Sequence, residues 1–425
     1  MAESKFLITK CTLMPNGCAL DEPYEIRQGA PSIEYYESIM SPSISMTLRF
    51  IDVDQVIGRK GITGGERIEL TIKDGDEDVF KISKEHNMML NSVKDIVTTS
   101  NIQESTLEFV SMEMITNETA RLNKKFSGNV SNTVKDIIEN YIVKDYQDKK
   151  KLFGPETKKI GEREIESDRA TNSYSFVGNL KHPFDVIQWL CPKTQSSKQN
   201  FGFLFFETLD GYNFRSIEKL MDQKPAYTYT RTDKPNDEQA GPFKILQNQV
   251  NQTNDIGMNL RLGMYANKTI YVDIENQTKS VVDFKITDLK PKKPVKLLNG
   301  IENYPTRLML RVNDFGAQQK GSKKKDVEKL NELAVYQNKS YIRNNLLFSQ
   351  SLSISIPLNP ELRAGQVLNL KFPLKKGDGN EETSSYGNDK TNDPSGKYIV
   401  SELRHLIGGG KGETQLTLIR DTFTA

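Results

Sequence analysis

The stretch most suggestive of chemistry is the glycine-rich run GGGKGET at residues 408–414. A phosphate-binding loop needs its lysine after the last glycine and a serine or threonine next to that lysine, because these residues hold the phosphate and its metal ion. Here Lys411 precedes Gly412, and a glutamate follows. The run also joins two segments of strand character rather than a strand and a helix. We therefore predict a hairpin turn, and no nucleotide or other cofactor is expected.

Two other residue sets have suitable types for metal binding or acid–base chemistry but unsuitable spacing. The Asp-x-Asp-x-Asp run at residues 74–78 begins like a calcium loop, yet Val79 stands where that loop requires glycine. The histidines are isolated, without a cysteine or carboxylate at metal-ligand spacing: His86, His182 and His405. No catalytic residue, metal site or enzymatic activity is predicted. Two acids brought together by folding, as in glycosidases, stay open as an alternative.

Composition narrows the class of protein. The chain has 425 residues, 58 lysines and arginines against 56 acids, and a net charge of +2, which argues against a nucleic-acid binder with a strongly basic field. The basic loop Lys320–Lys325 is interpreted as a solvated insertion. Three cysteines, the absence of a secretory signal and the absence of a long apolar run predict folding in a reducing cytoplasm, without a disulfide framework and without membrane insertion.

The elements that carry these residues are mostly strands, and one set of segments occurs twice. Each copy alternates apolar and polar residues and is broken by glycine or polar turns, as antiparallel strands with one buried face do. The matched segments are Ile44–Phe50 with Leu352–Ile356, Gly65–Leu70 with Gly365–Leu370, Val79–Ser83 and His86 with Lys397–Ser401 and His405, and Thr106–Met112 with Gln415–Arg420. The repeat predicts two similar β-barrels, with Gly65 and Gly365 at equivalent turns. Chance similarity between hairpin-rich regions is the alternative.

Period and composition divide the chain into parts. Residues 1–115 are predicted to form the first barrel, and residues 236–286 with 346–425 the second. Between them, residues 116–235 change to helical spacing near Val130, have a helix start at Pro183 and carry a hairpin signal at Asp210-Gly211, which predicts an α+β domain. Residues 287–345 are interpreted as an inserted segment. The fold class is therefore mainly β with an α+β middle.

The order of several short motifs resembles a known family. The α+β part contains VGNLKHPFDVI at residues 177–187 and GFLFFET at 202–208, followed by DGYNF at 210–214, and the last barrel contains AGQV at 364–367 and GKYIV at 396–400. This series, together with the barrel repeat, is similar to the central baseplate hub proteins of T-even-type contractile-tail phages. Phage late-control tail proteins and the hub part of type VI secretion spike proteins are their relatives. The similarity covers nearly the whole chain.

The resemblance implies a structural homotrimer, not an enzyme. Three copies of two barrels would make a ring that adapts the three-fold central spike to the six-fold tail tube and lets DNA pass without specific binding. Implied partners are the trimeric spike protein, a tail-tube or tube-initiator protein and other baseplate (wedge) proteins. The implied location is the virion baseplate, after assembly in the host cytoplasm. Because the chain stops at Ala425 after its last strand, we expect the spike to be a separate chain. The inserts 287–345 and 375–396 have no assigned counterpart.

Loops at equivalent places in the two barrels are the candidates for contact with the six-fold tail tube. Gln55–Gly64 and Leu358–Ala364 join equivalent strands, so Arg59, Lys60 and Arg363 are predicted tube-side contacts. The turn Asp74–Asp78 and the long polar loop Lys375–Gly396 differ in length, which suits a three-fold partner. The alternative function is a polysaccharide-binding multi-domain β protein with or without hydrolase activity. The loops 55–65, 154–173 and 375–396 hold few aromatic residues, which favours the structural role.

Overall fold

The structure is a computed structural model that describes residues 6–16, 20–83, 86, 88–99, 102–143, 164–196, 201–231, 243–252, 255–274, 277–289, 300–312, 324–372 and 394–421. Strands dominate it, and most helices are short. The predicted mainly β fold class is confirmed. Of the predicted inserts and loops, residues 154–163, 320–323 and 375–393 lie outside the described residues.

The N-terminal part is a run of strands with one short helix. The strands are β1 (Phe6–Met14), β2 (Tyr24–Glu25), β3 (Ser32–Ser38), β4 (Ser45–Asp52), β5 (Arg67–Asp74), β6 (Glu77–Ile82), β7 (Met88–Thr99) and β8 (Ile102–Ser111). Helix α1 (Val56–Lys60) lies between β4 and β5. The Asp52 carboxylate accepts the N–H groups of Val56 and Ile57 at 2.9 and 3.0 Å, and so satisfies the first donors of this helix.

The middle part mixes short helices and strands around an aromatic core. Its elements are α2 (Met112–Thr119), β9 (Lys125–Phe126), α3 (Val130–Ile137), β10 (Glu164–Ser167), β11 (Phe176–Val177), α4 (Pro183–Leu190), β12 (Phe203–Thr208), β13 (Gly211–Ser216), α5 (Ile217–Met221) and β14 (Tyr227–Thr230). The predicted helix start at Pro183 and the predicted hairpin at Asp210-Gly211 are both present. The ring centres of Phe184, Phe205 and Tyr212 lie within 6.0 Å of one another, and this contact joins α4 to the hairpin.

The C-terminal part returns to strands and contains the one long helix of the described residues. Its elements are β15 (Gln247–Gln252), α6 (Ile256–Arg261), β16 (Ala266–Asp273), β17 (Thr278–Lys285), β18 (Arg307–Val312), α7 (Lys324–Leu347), β19 (Gln350–Pro357), β20 (Val367–Lys371), β21 (Gly396–Gly408) and β22 (Lys411–Arg420). Strands β17, β16 and β18 form a separate small sheet in that order. Ile342 and Leu346 of α7 belong to the same buried cluster as Phe284 of β17, which holds this sheet against the helix.

The two barrel-like halves are joined in one 14-stranded sheet. The order is β15-β19-β22-β21-β3-β4-β8-β7-β5-β1-β2, with β6 beside β5, and with β20 beside β21 and β14 beside β20. Strand β21 of the second half pairs antiparallel with β3 of the first, from Glu402 opposite Ser38 to Gly408 opposite Ser32. Within the described residues no closed barrel is found, and one buried cluster contains residues of both halves, from Cys11 to Leu418. Strand β14, before the predicted boundary at 235, also pairs with β20.

The local structure around Gly65 is repeated around Gly365. Both glycines have positive φ angles, +99° and +86°. The Gly65 N–H donates to the carbonyl of Leu90 at 2.8 Å, and the Gly365 N–H donates to that of Val400 at 2.8 Å. The ladder with the next strand then shifts register one residue after Leu90 and one residue after Val400. A shared glycine turn and a shared bulge relate β7 to β21 and β5 to β20.

This correspondence corrects part of the sequence alignment. The sequence matched Val79–Ser83 with Lys397–Ser401, but β6 is the outer arm of a hairpin with β5, whereas β21 corresponds to β7. His86 lies in the turn before β7, and His405 lies within β21, so the two histidines are not equivalent. The alignment was wrong here because both pairs of segments alternate in the same way, and alternation alone does not distinguish neighbouring strands.

Candidate interaction site

The joint between β3 and β21 is buried on the face of the sheet that points to the core. The Tyr35 ring stacks on His405 at 6.0 Å between ring centres, and Phe80 lies edge-on to both at 5.2 and 5.9 Å. The His405 ring is also hydrogen-bonded to the Thr414 hydroxyl at 2.9 Å. Burial, with a smaller contribution from the positive charge of Arg363, lowers the pKa of His405 to about 3. The histidine is therefore neutral near pH 7 and acts as a packed aromatic residue in this joint.

Among the described strands of this sheet, two open edges belong to counterparts of the strands in the joint. After its bulge, β7 pairs on one side with β8, and no described strand pairs with its other side beyond Met89. The corresponding part of β21 is the part that pairs with β3. At the far end of the sheet, β15 pairs with β19 and has no second neighbour among the described strands. In the first half, β7 is the counterpart of β21 and is open on one side among the described strands. In the second half, β15 is the counterpart of β3 and is also open on one side.

Exposed aliphatic side chains mark both open edges. The residue opposite each bulge can be followed from strand to strand in both halves, from Leu90 in one and from Val400 in the other. These pairings end at Tyr35 on β3 and at Val250 on β15, so the two residues occupy equivalent positions. Tyr35 is fully buried, whereas Val250 is 42% exposed. On β7, Ile96 and Val97 are 51% and 58% exposed. Large aliphatic side chains on an unpaired edge invite pairing with another strand, and soluble proteins usually avoid them.

A polar groove runs across the joint on the face of the sheet that points away from the core. It has a volume of about 760 Å³. Most of its lining residues are serine, threonine, glutamine or asparagine, and the exceptions with charge or rings include Tyr36, Glu402 and Arg404. The Arg404 guanidinium pairs with Glu34 at 2.7 Å. Elsewhere on this face Arg49 pairs with Glu104 and Lys94 with Glu108, both at 2.6 Å. Arg404 is thus neutralised and Glu402 also lines the groove, so the groove is hydroxyl-rich and mildly acidic.

The predicted tube-side residues differ in availability. Arg59 and Lys60 are exposed in the last turn of α1. Arg363 is not: its side chain is 15% exposed and pairs with Asp210 at 3.1 Å. Its guanidinium also donates to the carbonyls of Pro360 and Leu362 at 2.6 and 2.8 Å. Within one chain Arg363 is thus a structural cation that holds its own loop.

Arg363 belongs to a buried contact centred on Glu37, which the sequence did not indicate. The Glu37 carboxylate accepts hydrogen bonds from the N–H groups of Leu209 and Ala364 and from the hydroxyl of Tyr35, each at 2.8 Å. Arg363 Nε lies 4.0 Å away. Burial raises the pKa of the Glu37 carboxyl, although Arg363 and the two N–H groups oppose this. One side chain thereby fixes the end of β3, the β12–β13 turn and the loop before β20. Nothing in the sequence signals contacts over such separations.

The glycine-rich run at residues 408–414 and the Asp-x-Asp-x-Asp run at residues 74–78 both form hairpins. Gly408 to Lys411 closes the β21–β22 hairpin, as predicted. The run 74–78 forms the β5–β6 hairpin, in which Lys73 pairs with Asp78 at 3.5 Å. In the described ranges, no cluster of three or more His, Cys, Asp or Glu side chains is arranged to hold a metal ion. Among the helices that the structure describes, none combines the length and apolarity needed to cross a bilayer.

Comparison with known proteins gives a result at the level of fold. No family model matches the sequence, and no curated protein matches it. Among solved structures, the chain is similar to a tail protein from Neisseria meningitidis MC58, with a TM-score of 0.53 and 10% identity over 99% of this chain and 98% of that one. It is also similar to a 43 kDa tail protein of prophage MuSo2 from Shewanella oneidensis, with a TM-score of 0.51 and 9% identity over 98% and 99%. The fold of this chain is therefore that of phage tail proteins, which is the relationship that the order of its motifs predicts.

Proposed function

We propose that this chain is a structural hub of a phage tail baseplate that works as a homotrimeric ring. The observation that carries the proposal is the pair of complementary open edges on β7 and β15. Strand β21 already pairs with β3 inside the chain, and β7 and β15 are the counterparts of those two strands. Pairing β15 of one copy with β7 of the next repeats the internal joint and covers Val250, Ile96 and Val97.

Such a contact joins two different surfaces, and head-to-tail contacts of this kind make closed rings or open filaments. Closure at three chains is what the resemblance to baseplate hubs implies. A ring of three chains then presents each repeated surface six times and each unrepeated surface three times. This geometry supports an adaptor between a six-fold tail tube and a three-fold spike, held with other baseplate proteins in the virion. In this role the protein has no enzymatic activity.

The polar groove supports a central channel. The core side of the sheet is covered by its own packed side chains, so the open face with Tyr36, Glu402 and Arg404 is the one left to line the centre of the ring. DNA-binding surfaces carry unpaired lysines and arginines that neutralise phosphates, whereas the cations here are paired with acids. A hydroxyl-rich, mildly acidic lining lets DNA pass without holding it. Among the described residues that line the groove, Tyr36 is the one aromatic side chain, which gives a polysaccharide little surface to stack on.

The test is the mass of the assembly in solution. Sedimentation of the full chain, alone and with its spike protein, should give three times the 48.3 kDa mass of one chain. The double variant Ile96→Lys/Val97→Lys and the single variant Val250→Lys should each lower this mass toward that of a monomer, because a buried charge without a partner opposes edge pairing. The matched control is Val177→Lys/Leu180→Lys, which changes two exposed aliphatic residues, 40% and 63% exposed, in the middle part.

Circular dichroism of every variant separates loss of assembly from loss of folding. A folded β7 or β15 variant that keeps the trimer mass would contradict the proposed joint. A strictly monomeric wild-type chain at high concentration, even with spike and tube proteins present, would contradict the ring itself.

A further inference from the structure

The small sheet has an unusual outer face. On the strand β18, Leu308, Leu310 and Val312 are 68%, 71% and 62% exposed. Further aliphatic residues on this face continue the row across the sheet, since Leu310 is opposite Ile270 and Ile270 is opposite the half-exposed Val281. An apolar patch that spans three strands is of the order of several hundred Å², a size that marks an interaction site.

The opposite face of the same strand is cationic. Arg307 and Arg311 flank the buried Met309 and lie over the Tyr341 ring of α7, at 5.6 and 5.5 Å. In the described parts of the chain no carboxylate forms an ion pair with either guanidinium. Strand β18 therefore alternates exposed aliphatic residues on one face with two arginines on the other.

The outer edge of β18 is open in the described chain. β18 pairs in parallel with β16, from Arg307 opposite Asn267 to Val312 opposite Val272, and no other described strand lies beside it. Natural edge strands are protected by charges, prolines or bulges that discourage a further strand. Here the aliphatic row Leu308, Leu310 and Val312 lies directly at the edge.

We propose that β18 binds an extended segment of another protein by strand addition, and that this segment alternates aliphatic and acidic residues. The backbone of the segment would bond to the open edge of β18. Its aliphatic side chains would extend the row of Leu308 and Leu310, and its acidic side chains would meet Arg307 and Arg311 on the other face as charge-assisted hydrogen bonds.

In the register centred on Met309, the charges argue against a second copy as the occupant. Antiparallel pairing of β18 with itself about Met309 would place Arg307 of each copy opposite Arg311 of the other. Like charges directly opposite each other destabilise a strand pair. An acidic partner strand removes this repulsion. The proposal does not depend on the ring, since neither β7 nor β15 belongs to the small sheet.

The experiment uses the full chain and two fluorescent peptides of about eight residues, one alternating glutamate with leucine or valine and its twin with lysine in place of glutamate. Fluorescence anisotropy should show binding of the acidic peptide and little binding of the basic one. Leu308→Lys/Leu310→Lys should weaken the acidic peptide about tenfold or more. Arg307→Glu/Arg311→Glu should exchange the preference, so that the basic peptide binds. Val177→Lys/Leu180→Lys is the matched control and should bind like the wild type.

Exchange of preference by the arginine reversal would support the proposal even where a leucine variant folds poorly. Absence of binding of both peptides to the wild type, or binding that ignores the charge of the peptide, would overturn it. Association of the chain with itself that is lost in Leu308→Lys/Leu310→Lys and kept in the Val250→Lys variant would assign the edge to a second copy and overturn it as well.

Discussion

At the scale of single residues, Glu37 has the largest predicted effect on stability. Its carboxylate is fully buried and accepts hydrogen bonds from two backbone N–H groups and one hydroxyl. In Glu37→Gln an NH₂ group replaces one carboxylate oxygen and cannot accept a hydrogen bond. At least one of the three donors then loses its acceptor. We expect the free energy of unfolding to fall by about 2–4 kcal/mol, as when one partner of a buried charged contact is removed. Urea denaturation followed by circular dichroism measures this change.

The matched control is Asp210→Asn. Asp210 pairs with the same Arg363, but its side chain is 71% exposed, so its contribution is screened by solvent and should stay below about 1 kcal/mol. Equal effects of the two substitutions would mean that Glu37 does not hold the three segments together.

His405 should make the stability of the protein depend on pH. Its pKa is lowered to about 3 by burial, whereas in the unfolded chain it is near the ordinary value of 6.5. A lowered pKa in the folded state gives stability that is fully present above pH 6.5 and is lost as the pH falls toward 3. The loss is about 1.4 kcal/mol for each pH unit below 6.5. His405→Asn lacks this term, so its deficit relative to the wild type should shrink by about 2 kcal/mol between pH 7 and pH 5.

The control for His405 is Phe80→Leu, which alters the same ring contact without a titrating group. Its deficit should be the same at both pH values in urea denaturation. A deficit of His405→Asn that also stays constant with pH would show that the histidine takes up a proton in the folded protein.

The sequence predicted the turn at residues 408–414 but not the buried contact of Glu37 with Arg363. The sequence correctly predicted a hairpin turn at residues 408–414, because Lys411 and Glu413 stand at positions that do not suit a phosphate loop and the run joins two segments of strand character. It predicted Arg363 as a tube-side contact, because the loop Leu358–Ala364 joins strands equivalent to those that Gln55–Gly64 joins. The contact of Arg363 with Glu37 and Asp210 joins segments more than a hundred residues apart, and no local pattern encodes such a contact.

At the scale of elements, helix α1 is the proposed contact with the tail tube. Arg59 and Lys60 are exposed at its end, and its loop follows β4 as the Leu358–Ala364 loop follows β19. We expect Arg59→Glu/Lys60→Glu to weaken tube docking only modestly, because exposed ion pairs contribute about 1 kcal/mol or less each. Initiation of tube assembly on variant hubs measures this, and Lys125→Glu/Arg169→Glu is a control with two other exposed cations reversed.

Intact docking in the α1 variant, with docking abolished by deletion of Lys375–Gly396, would mean that the two faces of the ring are assigned in reverse. Reduced docking in both the α1 variant and the control would point to net charge rather than to a specific contact.

Elements with strong local signals were predictable. The alternation in β3, β4 and β8 and the Asp210-Gly211 turn are visible in the sequence, and the structure has them. Strand β7 was missed, because two register shifts break its alternation and charged residues follow its apolar start. Helix α1 lies within the predicted loop Gln55–Gly64 and was missed, because its capping carboxylate, Asp52, precedes it by four residues instead of one.

At the scale of the whole molecule, the continuous sheet predicts that the halves fold together. Residues 1–115 expressed alone would expose Ile33 and Tyr35 of β3, which β21 covers in the full chain. We expect this fragment to lack a cooperative thermal transition. The full chain, in which Tyr35 is buried, should show one. Thermal melts by circular dichroism and the dispersion of amide NMR signals check this. A fragment that melts cooperatively would show that the first half is an independent barrel, as the sequence alone suggested.

The β3–β21 joint also affects how a ring would grow. Two strands on one chain meet at an effective concentration set by the chain between them, of the order of millimolar for a flexible link, whatever the dilution. The proposed β7–β15 joint would form only when two molecules collide. In the proposed trimer half of the joints are therefore made during folding, and only the other half depend on protein concentration. Duplication of the half-unit within one polypeptide thus reduces a six-body assembly to a three-body one.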